Sequence, residues 1–228
     1  MIRILFFALY FLLTPLSGIS QETSVRKLDA FKSISVSGPA DVKLVKGQGH
    51  SVKIESVGFA GSEVKTTITE SNLRIQIGSP VLKTRAEVDI TITYEEISRI
   101  SCEGACNIFS SELIQTGVLE LQANAASVIE AEVQCKRLVI DCSTAGQVIV
   151  SGNTGELKID ASTSGTVDAN ALRADKVVVQ ARTASGVKVQ ASESLQADVS
   201  TAASLRYRGN PSKTNLQSST GGGIRKVD

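Results

Sequence analysis

Tryptophan is absent, methionine and histidine occur once each, proline four times, and aromatic residues make up only 4% of the 228 residues. A core without large rings must be built from aliphatic side chains packed at short, regular intervals. The lone imidazole, His50, starves most nucleophile–base schemes and most zinc sites of a ligand. An excess of one charge is missing as well, since 24 basic groups face 23 acidic ones for a formal net charge of +1. That balance excludes a disordered polyanion and a strongly basic nucleic-acid binder, so no nucleic acid is expected as partner.

Long apolar runs are also scarce. The one present, Ile4 to Leu13, follows Arg3 and precedes Thr14-Pro15-Leu16-Ser17-Gly18-Ile19-Ser20. A short positive start, about 10 apolar residues and small residues at the −3 and −1 positions make a secretory signal peptide, with cleavage expected after Ser20. The run is well short of the roughly 20 apolar residues that span a bilayer, so no membrane span is expected in the mature chain. The expected organisation is a signal peptide over 1–20, a short segment over 21–30 and one domain over 31–228, located outside the cytoplasm. Removal of Arg3 with the leader leaves 23 basic and 23 acidic groups, which gives no whole-molecule field to steer a partner.

Four cysteines, Cys102, Cys106, Cys135 and Cys142, are an even number, and in an oxidising compartment they allow three full pairings. None lies near the expected cleavage point to carry a thioether lipid. Cys102 and Cys142 fall on inward-facing positions of the pattern below, where a free thiol behaves as a small apolar residue. Buried thiols and a single disulfide both fit the spacing. No C-x-x-C pair occurs, and neither a metal nor a cofactor is expected.

What the chain has in abundance is self-similarity. RISCEGACNIFS from Arg99, VLELQANAASVIEA from Val118, RLVIDCSTAGQVIV from Arg137, ELKIDASTSGTVDA from Glu156, KVVVQARTASGVKV from Lys176 and SLQADVSTAASLRYRG from Ser194 align beneath one another, with a shorter copy from Asn215. Taking Ile100, Leu119, Leu138, Leu157, Val177, Leu195 and Leu216 as the leading aliphatics gives a period of about 19 residues. Within each copy apolar residues alternate, as in Leu138-Ile140-Cys142 and Leu157-Ile159-Ala161, which is the signature of a strand with one buried face. Small residues follow, Ser143-Thr144-Ala145-Gly146 and Ser162-Thr163-Ser164-Gly165, and mark tight corners. A unit this short cannot cover its own apolar edge, but stacked units can. The pattern therefore predicts an all-β fold, a parallel β-helix or β-solenoid with coils of about 19–20 residues. From Phe31 to Glu96 the strands are less regular and read either as larger opening coils or as an antiparallel cap.

Phe31 with Ile34-Ser35-Val36-Ser37-Gly38-Pro39-Ala40-Asp41-Val42, the central Ile97-Ser98-Arg99-Ile100-Ser101-Cys102-Glu103-Gly104-Ala105 and the serial Ser-Thr corners resemble the head GIN domain family, adhesin domains of bacterial envelopes. The closing Tyr207-Arg208-Gly209-Asn210-Pro211 and Ser218 to Ile224 are similar to that family's C-terminal end. The resemblance implies an extracytoplasmic parallel β-helix with an adhesin-like role and no catalytic residues to carry over. The chain departs from autotransporters in having no room for a C-terminal membrane barrel.

Three groups of residues are candidate sites. The offset three after each leading aliphatic reads Glu103, Gln122, Asp141, Asp160, Gln180 and Asp198, a column able to meet a cation or sugar hydroxyls but lacking the Gly-Gly-x-Gly-x-Asp calcium pattern. The corner hydroxyls have no evident base and fit backbone capping better than nucleophilic attack. Arg206, Tyr207 and Arg208 form an arginine–aromatic cluster suited to a partner, either a protein or an anionic envelope glycan. The leading reading is a non-enzymatic binding or envelope-interaction module. One alternative is a polysaccharide lyase or hydrolase using Asp141 and Asp160. The other is a structural or signalling module whose end coil docks a protein.

Overall fold

The computed structural model describes residues 21–58, 61–78 and 87–227, and the expected signal peptide lies outside these described residues. Alternation becomes strand almost everywhere. The strands are β1 (Gln21–Lys27), β2 (Ser33–Ser37), β3 (Ala40–Lys46), β4 (Ser51–Val57), β5 (Val64–Thr69), β6 (Asn72–Ile77) and β7 (Glu87–Tyr94) in the first part. They continue with β8 (Arg99–Glu103), β9 (Cys106–Ser110), β10 (Ile114–Asn124), β11 (Val128–Cys142), β12 (Gln147–Ala161), β13 (Thr166–Ala181) and β14 (Gly186–Val199). The last three are β15 (Ser204–Arg208), β16 (Lys213–Ser218) and β17 (Gly223–Lys226).

From β8 onward each coil stacks in parallel on the one before it, the solenoid that the period predicts, in about seven turns. The long strands bend as they pass from face to face. The second half of β11 lies on the second half of β12, pairing Leu138 with Leu157 and Ile140 with Ile159, while its first half pairs Ile129 with Val148. A third face joins Ile114 to Val133 and Cys135 to Thr154. Side chains on the inner pleat fill the lumen: Leu119, Leu138, Leu157, Val177 and Leu195 stack in register and are all at most 1% exposed. Such a ladder stabilises the array through apolar burial of about 25 cal/mol per Å².

The corners explain the small residues. Two successive residues take left-handed φ at each turn, among them Thr144 (51°) with Ala145 (59°), and Thr201 (52°) with Ala202 (59°). Stacked corners bond to each other, as Ala145 N–H donates to the Thr163 carbonyl at 3.0 Å and Ala184 N–H to the Thr201 carbonyl at 2.9 Å. The inter-coil hydrogen bonds offset a conformation that L-residues otherwise avoid. At Gly152, with φ of 106°, an added Cβ would lie 2.1 Å from the Val133 carbonyl oxygen, so a side chain is excluded both by space and by backbone.

Two expected registers are corrected. Ile100 pairs with Leu121 rather than Leu119, and Leu195 pairs with Thr214 rather than Leu216, which lies opposite Ala197. The last coil has replaced its leading aliphatic with threonine, so alignment on the next leucine slips by two residues and keeps the same face. The wider spacing from Ile100 to Leu121 takes Glu103 out of the outward column: Gln122 lies beside Ser101, and Glu103 beside Asn124.

The N-terminal region contains both arrangements that the sequence left open. β1 is antiparallel to β4, β4 to β7, and β5 to β6, which forms a cap. Beneath it the coil made by β2 and β3 is inserted out of chain order. β2 pairs in parallel with both β6 and β8, and β3 with both β7 and β9. The earliest coil in sequence is thus second in the stack, and strands from four separated segments meet on one face.

Cys102 and Cys106 form a disulfide across the corner between β8 and β9, with Cα atoms 5.9 Å apart, and both are fully buried. Cys135 and Cys142 are free thiols. Burial pushes the Cys142 thiol up to about 11, the behaviour of an inert core cysteine.

Candidate functional site

Two outward surfaces gather polar groups. The first is the carboxylate–amide column on the face that runs from β10 to β16, where Gln122, Asp141, Asp160, Gln180, Asp198 and Gln217 stand in register. Asp160 accepts two hydrogen bonds from Arg182 Nη2, at 2.8 and 3.0 Å. Asp141 sits next to it without such a cation, and partial burial followed by the Asp160 charge raises its pKa. Sequence reasoning missed Arg182 because it projects from the corner of the following coil. Among the described residues no three His, Cys, Asp or Glu side chains converge as metal ligands. Among the corner hydroxyls, Ser143 Oγ donates to Asn124 Oδ1 at 2.6 Å, whereas Ser185 Oγ is buried with no hydrogen-bond partner among the described residues. His50 packs edge-on against Phe31 at 4.7 Å between ring centroids, in the cap.

The second surface is at the C-terminal end. Arg206 and Arg208 point outward from β15, while Tyr207 takes the inner pleat and packs against the core. The expected cluster is thereby divided between two faces. In exchange, pairing brings Lys188, Arg206 and Arg225 into one column across β14, β15 and β17. At its inner end Lys188 Nζ donates to Asp168 Oδ2 at 2.8 Å. Partial burial raises the Asp168 carboxyl, but the bonds from Lys188 and the Asn170 N–H, with the charges of Lys188 and Arg208, outweigh it and hold the group below the usual carboxylate range. Beside the column, Gly186, Ser204 and Gly223 occupy the neighbouring outward positions, so small residues flank the cations. Lys188 and Arg225 are 37 residues apart in the chain, and only the stacking register places them in one column, on either side of Arg206.

The fold and its outward columns define an all-β class: a capped parallel β-solenoid that presents polar ladders on its flanks. Residues 30–211 match the family model described as "Putative auto-transporter adhesin, head GIN domain", and the chain belongs to that family. Among solved structures it is similar to a putative adhesin from Bacteroides fragilis, at 18% identity with a TM-score of 0.83, covering 91% of this chain and 97% of that one. It is also similar to a putative lipid binding protein from Parabacteroides distasonis, at 15% identity and a TM-score of 0.70, covering 93% and 98%. A putative adhesin from Parabacteroides merdae shares 15% identity at a TM-score of 0.65, with the same coverage. These likenesses show a shared fold. No curated protein matches the chain.

Proposed function

We propose that this chain is an extracytoplasmic, non-enzymatic binding module of the cell envelope, which grips an anionic envelope component through the Lys188–Arg206–Arg225 column. The observation that carries the reading is that column itself. Arg206 and Arg225 are direct neighbours on adjacent strands, about 4.8 Å apart in the pairing direction, and like charges so placed cost the fold stability. An anion seated across them removes that repulsion and gains charge-assisted hydrogen bonds. Membership of an adhesin family supports the same reading.

Cosedimentation with purified envelope fragments tests it. Arg206→Gln with Arg225→Gln is expected to weaken binding at least about tenfold, with parental binding falling as salt rises. Variants that bind as the parent does, independently of salt, contradict the reading. Location is tested separately: the exported chain is expected to begin at Gln21, and N-terminal sequencing that finds Met1 retained contradicts cleavage after Ser20.

A further inference from the structure

The out-of-order insertion of β2 creates a trough that no single segment of the sequence encodes. On the outer face of β5, β6, β2, β8 and β10, the short side chains of Ser33 and Ser35 lie between longer ones. Arg74 and Gln76 rise on one side, and Arg99 and Gln122 on the other, enclosing about 580 Å³. The walls stand on the strands flanking β2, about 9.6 Å apart at about 4.8 Å per strand, so the trough runs along β2 and is wide enough for a saccharide segment.

Its chemistry is selective. Ser33 Oγ donates to the Ser71 carbonyl at 3.3 Å and Ser35 Oγ to Asn72 Oδ1 at 3.2 Å, so both hydroxyl oxygens are held in place with acceptor lone pairs free. Thr67 adds a further hydroxyl, and Gln76 and Gln122 add amides. Arg99 is engaged by Glu120 in an ion pair, whereas Arg74, directly opposite Ser35, carries no ion pair among the described residues. One free guanidinium fork suits one planar carboxylate, and Glu70 on the rim opposes a second negative charge and accepts from a hydroxyl. The lining holds no aromatic ring, so recognition depends on hydrogen bonds along the chain. We propose that this trough binds an acidic polysaccharide, one carboxylate per bound segment at Arg74 and sugar hydroxyls along Ser33, Ser35 and the amides. This rests on the reading of the protein as an envelope-binding module, but uses a surface separate from the cation column.

The test is calorimetric titration of the protein with oligogalacturonate, its neutral carboxyl-reduced counterpart and a sulfated oligosaccharide. Parental protein is expected to bind the uronate, with the neutral and sulfated probes at least about tenfold weaker. Arg74→Gln, and Ser35→Leu to fill the floor, are each expected to lose about 10- to 100-fold in affinity for the uronate, with Lys43→Gln, exposed on β3 and outside both surfaces, unchanged. Thermal melts at the parental midpoint establish that the variants are folded. Absence of uronate binding overturns the inference, as does equal or tighter binding of the sulfated probe. Undiminished uronate binding by both folded trough variants also overturns it. Envelope-fragment binding that is lost in the Arg206→Gln, Arg225→Gln variant, together with no uronate binding by the parent, would leave the broader function standing while this site falls.

Discussion

The two ends of the solenoid solve the same problem in opposite ways. At the N-terminal end, β1, β4 and β5 lie antiparallel over the stack, and the coil beneath is interlocked by the insertion of β2 and β3 between later strands. Val52, Ile54, Leu73 and Ile92 are consequently wholly buried there. At the C-terminal end no layer covers β16 and β17 among the described residues. Every residue of β16 is exposed, Leu216 is 37% accessible, and the inner positions that hold Leu195 and Val199 one coil earlier hold Thr214 and Ser218. A bare strand edge invites pairing with another chain, and here it is blunted by Pro211, Lys213, Arg225 and Lys226 instead of by a covering layer. Among the described residues one end is covered by antiparallel strands and the other carries charge along its edge.

Substitutions along the axis sharpen this contrast. Leu157→Ala in the middle and Ile54→Ala under the cap are each expected to cost about 2–5 kcal/mol through cavity formation, measured by chemical denaturation. Leu216→Ala, the same deletion at the open end, should cost less than about 1 kcal/mol, and equal losses at all three sites would erase the distinction. Next in size is a change of state: Lys213→Ile with Arg225→Val removes charge from the open edge and is expected to shift the protein toward larger species in sedimentation velocity. Matching changes on the capped end should leave the oligomeric state as it was.

The pH effects are smaller. Asp168 is held below its usual range in the fold, so its contribution is present above the unfolded value of about 3.9 and is lost as pH falls through the folded one. Asp168→Asn should therefore cost up to about 1 kcal/mol at pH 7 and nothing at pH 2, after solvent screening of a partly exposed pair. Asp141 has the opposite sign. Its pKa is raised, so the protonated form favours folding and that stability disappears as pH rises through the folded value. Asp141→Asn is expected to stabilise the protein by about 0.5 kcal/mol at pH 7, with no gain at low pH, in denaturation curves at the two pH values.

Much of the array was legible in the sequence because each coil repeats the same local instructions. Leu138 and Leu157, Ser143 and Ser162, and the period-two alternation between them announce strand, corner and stacking independently of any distant contact. The register slipped where the repeat itself changes, at the Thr214 substitution that ends the lumen ladder and at the wider spacing from Ile100 to Leu121. The cap was legible as strands but not as topology, since the insertion of β2 between β6 and β8 is a long-range pairing with no local signature. For that reason Arg206 and Arg208 could be singled out as neighbours in sequence, whereas the Lys188–Arg206–Arg225 column and the trough over Ser35 could not. Adjacency in sequence groups Tyr207 with these arginines, whereas the alternation of β15 sends it inward.

Residue-resolved amide hydrogen exchange on the free protein tests the asymmetry most directly. The slowest exchange is expected in β3, β7 and the central coils of β11 to β13, with exchange quickening through β15 and fastest in β16 and β17. Protection in β16 and β17 equal to that in β12, or a cap that exchanges first, would contradict the account of one closed and one open end.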